Sequence, residues 1–262
     1  MNGAAGRGAR LMDSSITGMS PWIVFSLLAG PGRYLPAAAL ALAVAVVLVL
    51  VRARPVFLEL AGLVFFAALA VTGMVAVPGA LRWLETYGDE LADLSLVLLA
   101  AASLAVRAPL TAPYARRSVP REFWHTPDFL RTASVITAAW ALAFLAAAVA
   151  GAVGDLVLHN PENLWTGWIV QVSALVTAMR FTEWYPAVVR ARLDPSRPRP
   201  RVSGLLMPFV GLLIPMGVVV LLFGAAPRWF AVALMVVGVV LARALRKEVA
   251  IEEQRAARRE LK

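Results

Sequence analysis

Apolar residues run along this chain in long blocks, separated by short basic, proline-rich or glycine-rich stretches, and no segment alternates with the period of two that a half-buried strand requires. Seven blocks predict membrane-crossing helices: 35–51, 55–77, 91–106, 130–153, 165–180, 203–223 and 228–245. At 1.5 Å per residue the shortest reach only roughly 24 Å, so they must draw length from flanking turns or lie where a bilayer thins. An eighth block, 21–29, is too short to cross and is cut off by Gly30-Pro31-Gly32-Arg33, which predicts a short interfacial helix. The expected fold is therefore all-α, a polytopic membrane helical bundle of about seven transmembrane helices plus that short N-terminal helix.

Polar punctuation sharpens the boundaries. Thr126-Pro127-Asp128 reads as a helix start: a hydroxyl cap, a proline whose missing N–H costs nothing at the first helical position, and an acid favoured by the helix dipole. Asn160-Pro161-Glu162-Asn163 reads in the same way for the next helix. Small residues recur every four positions at Ala37, Ala41 and Ala45 and again at Ala139, Ala143, Ala147 and Gly151, ridges that let helices pack closely in lipid. Alternating proline and arginine in Pro195-Ser196-Arg197-Pro198-Arg199-Pro200-Arg201 forbids helix and marks a linker. The expected organisation is a mobile tail over 1–20, a five-span core over 21–192, the linker over 193–202, a two-span hairpin over 203–245 and a charged cytoplasmic helix over 246–262.

Composition agrees with a membrane setting and narrows the chemistry. Of 262 residues 60% are hydrophobic and only 16% charged, against roughly 25% in soluble domains; mean hydropathy is +0.75. The net charge of +9 would suggest nucleic acid in a soluble protein, but here it sits in loops between apolar runs and argues for orientation and for anionic lipid headgroups as partners, with no nucleic acid. Cysteine is absent, and the two histidines, His125 and His159, fall on opposite sides of the expected membrane, so no metal site is expected. No phosphate-binding, hydrolytic or cofactor-capturing motif is present, and no lysine lies in a span to form a Schiff base. The expectation is a non-enzymatic protein with no cofactor.

Arginine distribution sets the expected orientation. Arg52 and Arg54, then Arg107, Arg116, Arg117, Arg121 and Arg131, then the run from Arg180 to Arg201, then the C-terminal tail occupy alternate loops, whereas the others hold only Arg82 and Arg228. Basic short loops stay cytoplasmic. Seven spans then put the N-terminus outside and the C-terminus inside. In the 107–131 loop, Arg116, Arg117, Arg121 and Trp124 form a candidate partner or lipid-headgroup surface. Intramembrane charge is costly and so worth naming: Glu59, Arg180 and Glu183 lie at similar depth near the inner face, with a Glu59–Arg180 ion pair expected, while Asp93 and Asp155 fall at outer helix ends. Gln171, Ser173 and Thr177 add polarity to the fifth span without composing a site.

The order of landmarks resembles the septation protein A family of small bacterial inner-membrane proteins. The resemblance covers about 21–192 and rests on PWIVFSLLA, the alanine-rich LPAAALALAVAVVLVLVRARP, the exit Arg107-Ala108-Pro109-Leu110, Trp124 in its proline-bearing loop, Trp140 to Phe144, and Asn163-Leu164-Trp165. It implies a five-span inner-membrane core without catalysis, serving envelope maintenance or division through its cytoplasmic basic loops, with other envelope or division membrane proteins as partners. Residues 203–262 extend beyond it. The alternative expectation is a small-molecule or ion transporter, which would need polar groups near mid-membrane on facing helices.

Overall fold

The computed structural model describes residues 15–30, 32–52, 55–160, 163–194, 196, 200, 202–224 and 226–260, with no account of side chains at 15–16, 202–209 and 245–260. All regular structure among them is helical. The chain forms two compact units, 1–178 and 179–262, so the division falls inside a helix; much of the proline-arginine linker, like the tail before Ser15, lies outside the described residues.

The first unit contains α1 (Ser15–Leu28), α2 (Tyr34–Val51), α3 (Phe57–Val75), α4 (Pro78–Ala105), the single turn α5 (Ala112–Ala115) and α6 (Pro127–Ala152). Helix α6 ends in a π-turn, Val153–Val157, and a second π-turn, Trp165–Ile169, leads into α7 (Val170–Leu193). Among the described residues three segments are long and apolar enough to cross a membrane: α2, α3 and Pro127–Val157. Their outer faces expose Leu50, Val64, Val71 and Leu142, the surface a bilayer would cover.

Two elements differ from expectation. Helix α1 begins at Ser15, earlier than the expected block at 21, and packs into the bundle. Met19, Trp22 and Phe25, three residues apart, are buried, and Trp22 and Phe25 meet the Phe66 ring of α3. Proline inside a helix strands the carbonyl four residues before it. Here Pro21 strands that of Thr17, and the Ser20 hydroxyl donates to it at 2.8 Å, so the helix continues through the proline. Contacts rise in order along α1, from Gly18 against the Tyr114 hydroxyl and Gly62 against Trp22 to Ser26 with Asp89 and the Gly32 N–H donating to Glu85 at 3.1 Å. It therefore runs antiparallel to α4 and starts at the end of the bundle that carries Tyr114.

The second difference is α4, which starts at Pro78, well before the expected block at 91. Extended Val77 caps it and Pro78 takes the first helical position. A stripe at four-residue spacing, Leu84, Gly88, Ala92, Leu96 and Ala100, is buried, while the acids Glu85, Asp89 and Asp93 form an adjacent stripe at the same spacing. With 28 residues the helix is about 42 Å long, and Asp93 stands near its midpoint instead of at an end. Most of the alanine ridges are buried: Ala37, Ala41 and Ala45 of α2 and Ala143, Ala147 and Gly151 of α6, with Ala139 half-buried.

In the second unit α8 (Val202–Phe223) and α9 (Arg228–Glu260) pack side by side. Gly217 lies against Ala231 and Met235, and Gly238 against Leu213 and Ile214, close approaches that a side chain would prevent. The expected tail helix is the unbroken continuation of α9.

Candidate functional site

Two constellations occupy different levels of the first unit. At one end, the 107–126 loop is tied down by polar contacts. The Thr111 hydroxyl donates to the Ala133 carbonyl at 3.0 Å, its N–H donates to the Thr137 hydroxyl at 3.3 Å, and the Leu110 N–H donates to Ser103 Oγ at 3.1 Å. The Trp124 indole N–H donates to the Val119 carbonyl at 2.9 Å. Arg116 and Arg121 both lie over that indole, at 5.4 and 5.7 Å from its centre, and Arg116 Nε is buried without a hydrogen-bond partner. Arg117 and Arg52 lie over the Tyr114 ring at 5.7 and 5.9 Å. Arg116, Arg121 and Trp124 thus gather in one cluster, with Arg117 at Tyr114.

Beneath this layer Glu59, 1% exposed, accepts from the Val56 N–H at 3.2 Å and forms an ion pair with Arg52. The Tyr114 hydroxyl reaches it at 3.5 Å. Burial pushes the Tyr114 phenol up to about 12, although Arg52 and Arg117 pull it down. Arg180 and Glu183 pair with each other across one helical turn at 3.1 Å, both largely exposed. The cation that Glu59 uses is therefore its near neighbour Arg52, where the sequence suggested Arg180.

The second constellation lies at mid-bundle and escapes a reading by apolar blocks. Both Asp89 carboxylate oxygens are satisfied, one by the Ser26 hydroxyl and the other by the Gln171 amide at 3.4 Å. One turn further along α4, Asp93 is 8% exposed and has no hydrogen-bonding or ionic partner among the described residues. It lines a cavity of about 90 Å³ whose other walls include Trp22, Leu96, Phe144, Trp168 and Leu175, with Ser26 and Gln171 at its polar side. Glu90 packs its carboxylate against Gly151, and Glu90 Oε2 and Asp155 Oδ2 are buried without partners. Asp155 lies within electrostatic reach of both Asp89 and Glu90, so the acids form a chain from the cavity to the end of α6. Asp155 and Trp168 each sit in a π-turn, a local widening common where a helix serves a site.

Among the described residues no three of His, Asp or Glu converge as metal ligands. The signal for this site was the Glu85, Asp89, Asp93 spacing, which places three carboxylates on one helical face. It was hidden by starting the helix at residue 91. Comparison with protein-family models, characterised proteins and solved structures gives no match to this chain.

Proposed function

We propose that the protein is a multi-pass membrane carrier that couples a small solute to protons through the acidic chain of Asp93, Asp89, Glu90 and Asp155. The observation that carries this reading is Asp93: a carboxylate nine-tenths buried, midway along a helix about 42 Å long, without a partner among the described residues, and on the wall of a cavity. A charge at such depth is expensive and is retained where it exchanges ions or protons. The polar groups that a ligand pathway needs on facing helices are present: Ser26 on α1, Asp89 and Asp93 on α4 and Gln171 on α7. Helices α1–α4 and α6–α9 cross a bacterial inner membrane in this reading, with both termini and the arginine loops in the cytoplasm. In this reading the N-terminus lies on the arginine side, in place of the outside location expected from seven spans; the start of α1 beside Tyr114 supports this, as do the arginines of the preceding sequence by the charge rule.

Full-length protein in liposomes under an inside-negative potential, with a mixture of small solutes supplied on both sides, should acidify the lumen faster than protein-free liposomes, and Asp93→Asn should remove the difference. Equal rates with and without protein would sink the reading.

A second reading, an envelope or division scaffold of the septation protein A kind, is favoured by the cluster of Arg116 and Arg121 on Trp124, a basic cytoplasmic surface for anionic headgroups or a membrane-protein partner. It predicts a division or envelope defect on replacing those arginines, with Asp93→Asn silent.

A further inference from the structure

The cavity beside Asp93 has a composition that selects its occupant. Among the described residues one carboxylate without a partner, that of Asp93, faces it, and the remaining polar side chains, Ser26 and Gln171, already donate to Asp89. A desolvated metal ion needs several oxygen ligands converging at short distance, and the described residues supply no such convergence. The walls are instead aromatic and aliphatic: Trp22, Phe144, Trp168, Leu96 and Leu175. A lone anion among aromatic faces is the arrangement that holds organic cations, whose charge is spread over alkyl groups and is attracted to ring faces. Leu27 and Trp168, both on the cavity wall, are about half exposed on the outside of the unit, at 52% and 47%, so the cavity has an apolar mouth. A volume of about 90 Å³ suits a compact head group, with any longer tail leaving by that mouth.

We propose that this cavity binds an alkylammonium cation, its charge paired with Asp93 and its alkyl groups against Trp22, Phe144 and Trp168, with protons competing for the same carboxylate. The proposal rests on the carrier reading above for delivery of the cation from the membrane, and it names the solute class that reading leaves open. Binding is separable from transport. A protonated Asp93 has no charge to offer, so affinity falls as pH is lowered.

The test is equilibrium binding of radiolabelled tetramethylammonium to the full-length chain in nanodiscs of neutral lipid, which keeps surface charge from concentrating the probe. Saturable binding is expected, weakening as pH is lowered, resisting excess sodium, and unmatched by the neutral isostere neopentane. Trp168→Ala, at the exposed mouth, should weaken binding about tenfold through loss of the aromatic face, and Asp93→Asn should abolish it while Asp93→Glu retains it. Absence of saturable binding would overturn the proposal, as would equal uptake of the neutral isostere or indifference to pH; none of these needs a variant to fold. Binding without proton flux in liposomes would sink the carrier reading and leave the cation site standing. Proton flux without tetramethylammonium binding would do the reverse.

Discussion

Glu59 shows how a single buried charge is held. Its carboxylate caps the start of α3, pairs with Arg52 and lies within reach of the Tyr114 hydroxyl, so removing Arg52 strands a charge that water cannot reach. Breaking a buried pair from one side costs more than removing both partners. Arg52→Met should therefore lower stability by about 3 kcal/mol. Glu59→Gln should cost less, because the guanidinium on its long stem can swing toward the interface. The double replacement should lose less than the sum of the two, read from thermal unfolding in detergent; strict additivity would show that the pair is not coupled. By contrast, Arg180→Ala should change little, since its partner Glu183 is solvent-exposed. Glu59 as a buried charge worth naming is legible in the sequence, but its partner is not, because the packing of α2 beside α3 brings Arg52 to it.

Helix boundaries were legible where a cap wrote them. Thr126 accepts from the Phe129 N–H at 3.4 Å, and Pro127 opens α6. Asn163 accepts from the Trp165 N–H at 2.9 Å and the Thr166 N–H at 3.3 Å. Thr126→Ala should destabilise the bundle by about 1 kcal/mol, measured by thermal unfolding, and Thr126→Ser should restore most of it. No loss in the alanine variant would mean that α6 is held by packing alone. Boundaries were lost where polarity lies on a buried face. Helix α4 was shortened because Glu85, Asp89, Glu90 and Asp93 read as an end of the apolar block, whereas they meet α1, α6 and α7. Helix α1 extends back beyond the apolar block at 21 because the Ser20 hydroxyl takes up the carbonyl that Pro21 strands.

At the scale of the whole molecule, the proposed carrier has α1 crossing the membrane with its N-terminal end on the arginine side. Reporters placed before Ser15, after Arg121 and after Lys262 should all read cytoplasmic, and one after Asn160 should read external. An external reading at the N-terminus would restore the seven-span arrangement and mean that α1 does not cross. Much of the linker between 193 and 202 lies outside the described residues, and the two compact units meet within α7.

Helical class, the three long apolar segments, the alanine ridges and the capped helix starts were determined by the sequence alone, because each depends on residues a few positions apart: hydropathy over one window, spacing over one turn, a side chain and the N–H two or three residues on. The cavity and the unpartnered state of Asp93 were decided only by tertiary structure. Whether a carboxylate within an apolar helix is satisfied depends on which donors the other helices bring to it. Ser26 and Gln171, 63 and 82 residues from Asp89, complete that acid and leave its neighbour one turn away without a partner.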